Sequence, residues 1–279
     1  MSVEPLPPEL LQHILAMACC DDGATVSAAR STSKAFRDCA EHLRFRSVAL
    51  TSNKQVAAFL DASAGSAALV VHLFLSLGPE DPDSALVTAL LRAVSPTLET
   101  LHCIVDSGAE WSLRPCPVLA AVAHTPLPRL THLTFRHRAG PVAVAPGRGA
   151  LYPALAHLHV SFAARIPLLN AHMLALALAP PRLEGVCLSN VELDVWALSS
   201  LTAMLSMSAD GEEEGERTPL LLPGSVERYV LIPSMGFERT GFSTRVDGLD
   251  CFVLDPEPLR TLAQWREEWL EMLRARYMG

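Results

Sequence analysis

The chain is short of lysine. Only Lys34 and Lys54 occur among 279 residues, and arginine supplies the rest of the 22 basic side chains, against 30 acidic ones. The net charge of −8 leaves no cationic excess to neutralise phosphates, so no nucleic-acid partner is expected. A run of about 20 apolar residues is also missing, so no membrane span is expected. The most apolar stretch, Ile166 to Pro181, is interrupted by Asn170 and His172 and reads as a buried helix. No basic flank followed by an apolar segment opens the chain. Together with an odd count of 7 scattered cysteines, this predicts free thiols in a reducing intracellular compartment, cytoplasm or nucleus.

Signatures of chemistry are missing too. The sequence has no phosphate-binding P-loop, no Gly-x-Gly-x-x-Gly, no His-Glu-x-x-His and no Cys-x-x-Cys. The serine of "GFSTR" lacks the later glycine that a nucleophile elbow needs. The tandem Cys19-Cys20 has His13 nearby, but two adjacent thiols cannot easily face one ion. The expectation is a non-enzyme without metal or cofactor.

What is present is apolar surface in two patterns. Half of the residues are hydrophobic and 19% are charged, enough for a sizeable core. The first pattern is "LPPELLQHIL", Leu6 to Leu15. Pro7 and Pro8 suit a helix start, and Glu9 faces the positive end of the helix dipole. At 100° per residue, Leu10, Leu11, Ile14, Leu15, Met17 and Ala18 cover an arc of about 160°. That is wide for a short helix on a small domain, and it predicts a core along one edge and a partner along the other. After Asp21-Asp22-Gly23, Val26, Ala29 and Thr32 repeat at helical spacing, as do Ala35, Phe36, Cys39 and Ala40. Phe45 to Leu50 then reads as a strand.

The residues Leu6-Pro7-x-Glu9-Leu10-Leu11-x-x-Ile14-Leu15, Val26-x-x-Ala29, Ser33-Lys34-x-Phe36-Arg37 and Phe45-Arg46-Ser47-Val48 resemble an F-box over about residues 4–50. Thr32 stands where that family usually has an aliphatic residue, and Phe36 where Trp is common. The resemblance implies a three-helix module that docks on the Skp-family linker subunit of an SCF-type ubiquitin ligase, and through it on the cullin scaffold. Carried over by position, Leu6, Pro7, Leu10 and Leu11 would lie at the docking surface, with Val26 and Phe36 extending or supporting it. Ile14, Leu15 and Ala29 would be internal.

The second pattern is a repeat. "VVHLFL" from Val70 recurs as "LETLHC" from Leu98, "LTHLTF" from Leu130, "LAHLHV" from Leu155 and "LEGVCL" from Leu183. This resembles leucine-rich repeats, in which each turn adds one short strand with its first, fourth and sixth residues inside. The segments Ser84–Val94, Val118–His124, Leu168–Leu178 and Val195–Met207 read as backing helices. Unequal steps and a following asparagine only at Asn190 mark the array as degenerate. The third, fifth and seventh residues of each strand would then line a concave, target-binding face. Its candidates are His72, Phe74, His102, His132, Arg136, His157 and His159, with His132 and His157 side by side.

"SMSADGEEEGERTP", residues 206–219, reads as a solvated acidic loop. Arg228–Pro233 and Leu249–Leu254 read as strands. The tail, about residues 257–277, reads as a helix with Leu262, Trp265, Trp269, Leu273 and Tyr277 on one face, closing the open end of the array.

The fold class expected is α+β or α/β: an F-box-like three-helix module at 1–50, then a short, irregular leucine-rich-repeat-like solenoid at 51–279 with a C-terminal capping helix. The chain is similar to fungal F-box proteins with divergent repeats, notably in "FVLDPEPLRTLAQWREEWL". The function this implies is a substrate adaptor that holds the ligase linker at one end and an unknown target protein at the other. The alternative is a repeat-type interaction scaffold without ligase coupling.

Overall fold

The computed structural model describes residues 6–18, 21, 23–63, 69–78, 83–105, 117–137, 151–180, 182–193, 225–234, 242–246, 249–258 and 260–278. The Cys19-Cys20 pair, the helix expected at 195–207 and the acidic loop at 206–219 lie outside the described residues.

Three short helices come first: α1 (Pro8–Ala18), α2 (Ala24–Thr32) and α3 (Lys34–Ala40). Ser33 ends α2 in extended conformation and caps α3, its hydroxyl accepting from the Phe36 amide at 3.2 Å. The three helices share a small core of Leu15, Val26, Ala29, Cys39, Ala40 and Leu43.

The remainder is an α/β layer. Strands β1 (Ser47–Leu50), β2 (His72–Leu77), β3 (Thr100–Val105), β4 (His132–His137), β5 (His157–Pro167), β6 (Gly185–Glu192) and β7 (Arg228–Pro233) lie side by side in chain order, all parallel. β9 (Leu249–Val253) continues the parallel order beside β7, and β8 (Phe242–Val246) closes the edge antiparallel to it, giving a nine-stranded sheet. Helices α4 (Asn53–Ala62), α5 (Ser84–Val94), α6 (Pro117–His124) and α7 (Leu168–Leu178) fall between successive strands. Asp83 starts α5 by accepting from the amides of Ala85 and Leu86 at 2.9 and 3.2 Å.

The repeat explains the core. Leu73, Leu101, Leu133, Leu158 and Val186 are register partners in one row across the sheet; Leu75, Cys103, Phe135, Val160 and Leu188 form the next. Every first, fourth and sixth residue of the five motifs is essentially sealed from solvent, at 2% exposure or less. They join Val56 and Phe59 of α4, Leu90 and Leu91 of α5, Val122 of α6 and Leu174 of α7 in one continuous core. A parallel sheet covered this way has no solvated side on its helix face. The predicted helices at 84–94 and 168–178 and the strand at 228–233 match the observed bounds.

One expectation is corrected. The C-terminal helix, α8 (Leu262–Met278), does not close the end of the array. It lies across the opposite face of the sheet, where Trp265, Trp269 and Leu273 pack on Phe74 of β2 and Ile104 of β3 in a second core. Among the described residues no helix is long and apolar enough to cross a membrane.

Candidate functional site

Two surfaces carry the candidate residues: the outside of α1 and the sheet face beneath α8. On α1, Leu15 points into the small helical core, and Leu11, Ala16 and Phe36 pack on its rim, half-buried. Leu6, Leu10, Ile14 and Met17 point the other way, 58%, 52%, 45% and 48% exposed. Leu10, Ile14 and Met17 fall within about 60° of helix arc, so they form one stripe, with Leu6 in line at its leading end. Pro7 is exposed beside them, its carbonyl accepting from the Leu11 amide at 3.1 Å.

Two sequence expectations change here. Ile14, expected inside, is outside, because α1 packs against α3 along one side only and the small core ends at Leu15. Val26, expected to extend or support the docking surface, is inside that core at 3% exposure, where it can only support that surface from beneath. Leu6, Pro7 and Leu10 are exposed; Leu11 and Phe36 border the stripe.

On the sheet, the expected concave rows exist in register. His72, Thr100, His132, His157, Gly185 and Arg228 make one row. Phe74, His102, Thr134, His159, Cys187 and Val230 make the second, and Ser76, Ile104, Arg136, Ser161, Ser189 and Ile232 the third. His132 and His157 stand side by side, ring centroids 4.5 Å apart.

This face is not open to a target. Trp269 lies against Phe74 and Trp265 against His159, at 5.5 and 5.4 Å between centroids. Arg276 ties the far end of α8 to Glu99 at 2.7 Å, and the Arg136 guanidinium donates to the Arg260 carbonyl at 3.0 Å. His72, Phe74, His102 and Arg136 are therefore buried, His132 and His159 half-buried, and only His157 is exposed. The signals for this cover were Phe74 and Ile104, two large apolar side chains in rows otherwise read as polar, and a two-Trp stripe in need of a floor.

The cover sets the electrostatics. Burial, reinforced by Arg276 and Arg46, lowers His72 to about 3. Burial and the neighbouring imidazoles lower His102 to about 3, and burial with His157 lowers His132 to about 4. Burial beside Arg260 lowers His159 to about 3. These four imidazoles are neutral at neutral pH. His159 Nε2 lies 2.7 Å from Ser189 Oγ, a nucleophile–base distance, but so weak a base lies far from the pKa that acid–base catalysis near neutral pH favours. Burial pushes the Cys187 thiol up to about 12, so it stays protonated. Among the described residues no group of three or more His, Cys, Asp or Glu is placed to hold a metal ion.

What stays open is a cavity of about 240 Å³ between α8 and the sheet, where Glu268 and Met272 face His132, His157, His159 and Arg228. Gly185 forms part of its floor; a Cβ there would sit 3.3 Å from His157 Nδ1, so a larger residue would crowd the imidazole.

No protein-family model matches the chain, and no curated protein or solved structure is detectably similar to it.

Proposed function

We propose that the chain is a protein-interaction adaptor whose α1 surface docks onto the Skp-family linker of an SCF-type ubiquitin ligase, with the cullin scaffold reached through that linker. The observation that carries this reading is the exposed stripe Leu6, Leu10, Ile14 and Met17, four large apolar side chains along α1 and the residues leading into it, on a helix whose opposite side already fills its own core. Contiguous exposed apolar surface of this kind marks a docking site, and a helix presents it as anchors spaced three and four apart. The F-box resemblance of residues 4–50 names the partner class. The parallel sheet, one helix per strand step, and the Leu-x-x-Leu-x-aliphatic rows support reading the remainder as a degenerate leucine-rich-repeat array. In this reading the chain performs no bond chemistry; it raises the concentration of a target near the ubiquitin-loaded enzyme. Because α8 covers the concave face, the target surface narrows to the rim around His132, His157 and Arg228.

Co-purification with a Skp-family linker tests the proposal. The wild-type chain is expected to capture the linker, and Leu10→Asp combined with Pro7→Ala to abolish capture while leaving the chain folded. Capture that survives the double substitution, or a wild-type chain that captures nothing, overturns it.

A second reading, an interaction scaffold without ligase coupling, is favoured by Thr32. This side chain is exposed at a position where the F-box family has an aliphatic contact, and its hydroxyl bonds back to the Ala28 carbonyl at 3.1 Å. Under that reading the chain captures its target but no linker.

A further inference from the structure

The cavity between α8 and the sheet is wide and thin, and imidazoles line it. Its floor crosses five strands, from His102 on β3 to Arg228 and Val230 on β7. At about 4.8 Å per strand step that is about 19 Å, and its two residue rows add about 7 Å along the strands. Spread over such a floor, about 240 Å³ is a single layer rather than a chamber. Glu268 and Met272 of α8 form the roof. His157 and Arg228, both exposed, mark the open end, and His102, 3% exposed, marks the closed one.

Gly185 opens the layer. It stands in the first row between His157 and Arg228, its register partners, and leaves a notch where they carry side chains. Its backbone is not in the left-handed region, so the strand does not need glycine there; what the glycine provides is space. The nitrogens around that space are under-used. His102 Nε2 and His159 Nε2 face the Thr134 and Ser189 hydroxyls at 3.3 and 2.7 Å, and His132 Nδ1 faces the Thr131 hydroxyl at 2.9 Å. Among the described residues the second nitrogen of each ring makes no hydrogen bond, and His102 Nδ1 is buried in that state. A buried polar atom without a partner is unfavourable until a complementary group is brought to it. A neutral imidazole presents either an N–H or a lone pair there, according to its tautomer. Glu268 engages Arg260 through Oε2 at 2.8 Å and keeps Oε1 as a further acceptor.

We propose that this layer binds one flat, uncharged nitrogen heteroaromatic molecule of two fused rings. Size comes first: a cavity of about 150 Å³ holds one benzene, so about 240 Å³ leaves room for a second ring. The single-layer depth suits a planar molecule and rejects a puckered, saturated one of equal volume. Arg228 and Glu268 are the two charged side chains of the lining and they cancel, while burial keeps His102, His132 and His159 neutral at neutral pH. The site therefore offers an ion of either sign no net attraction. The unused imidazole nitrogens and Glu268 Oε1 match a ring edge that carries both a donor and an acceptor, as fused azoles and nucleobases do. Met272 would place its thioether against the ring, a favourable contact. The proposal is independent of the adaptor reading, since it invokes neither α1 nor a protein partner.

Calorimetric titration of the full chain near neutral pH with benzimidazole, adenine and indene provides the test. Benzimidazole and adenine are expected to bind saturably at one site per chain. Indene, of the same shape without nitrogen, should bind at least tenfold more weakly, and adenosine monophosphate no more tightly than adenine. Gly185→Val puts a side chain that strands accept into the notch, the exposed His157 ring can yield to it, and binding should be lost. If that variant does not fold, His132→Phe keeps a flat ring without nitrogens and should weaken benzimidazole several-fold while leaving indene unchanged. No saturable binding of either heterocycle, equal affinity for indene, or tenfold tighter binding of the monophosphate would overturn the proposal. Binding that survives Gly185→Val, or a benzimidazole affinity that His132→Phe leaves unchanged, would overturn it as well.

Discussion

The two terminal helices carry the same kind of pattern and meet opposite fates. In α8, Trp265, Trp269 and Leu273 repeat every four residues and are buried to 2% exposure or less. Along α1 and its leading residues, Leu6, Leu10, Ile14 and Met17 follow at steps of four, four and three and stay about half exposed. Neither helix differs in what it offers; they differ in what lies within reach. Helix α8 finds Phe74 and Ile104 on a broad sheet face. Helix α1 finds α3 and a core of six residues, already filled by Leu15 from its own other side. Periodicity identifies an apolar face; it does not identify the cover.

The strongest way to break this comparison is to cut into the covered stripe. Trp269→Ala removes a fully buried side chain that fills the space above Phe74. The expected loss is about 3–5 kcal/mol, read as a lower urea midpoint at unchanged slope. A loss below about 1 kcal/mol would mean that α8 rests loosely on the sheet and that the two helices are more alike than their burial indicates.

Acid comes next, because α8 seals the histidine face. His72, His102 and His159, at about 3, and His132, at about 4, bind protons less readily in the folded chain than in the unfolded one, whose imidazoles titrate near 6.5. Between those values the unfolded state holds more protons, so stability rises with pH. The full contribution is present above about pH 6.5 and is lost progressively as pH falls toward about 4 for His132 and about 3 for the other three. Sealed His72 and His102 each contribute up to about 1.4 kcal/mol per pH unit over that window, and half-buried His132 and His159 less. Denaturant unfolding at pH 7 and pH 5 should therefore give a clearly less stable chain at pH 5, and equal stabilities would contradict the cover that α8 provides.

The leucine rows on the helix side of the sheet were legible, and the face under α8 was not. Leu73, Leu101, Leu133 and Leu158 follow one spacing rule because each strand repeats the same burial problem against the same kind of helix. Strand α/β order, the paired histidines and three element bounds followed from that rule. Helix α4 was not read, since only Val56 and Phe59 are buried among its ten residues and the remainder gives weak periodicity. Strand β8 was not read either, because it belongs to no repeat and pairs antiparallel at the edge. The rows His72–Arg228 and Ser76–Ile232 carry polar groups at positions that would suit solvent equally well. Their burial depends on a helix about 190 residues later in the chain than β2, a separation that local spacing does not encode. The exposed Ile14 fails for the converse reason: its spacing is that of a core residue, but among the described residues nothing covers it.

The smallest expected effect completes the comparison. Leu10→Ser and Ile14→Ser each remove apolar surface that already faces water, so the isolated chain should change by no more than about 0.5 kcal/mol. Serine lowers helix propensity by a few tenths of a kcal/mol, which sets the direction as slightly destabilising. Thermal melts of the two variants beside Trp269→Ala would show the contrast directly. A loss of about 2 kcal/mol or more for Ile14→Ser would place that side chain in the helical core after all. It would also split the exposed stripe, leaving Leu6 and Leu10 apart from Met17, too little continuous apolar surface to seat another protein on α1. A near-neutral result leaves Leu10 and Ile14 with no role in holding this fold together, as the docking proposal requires.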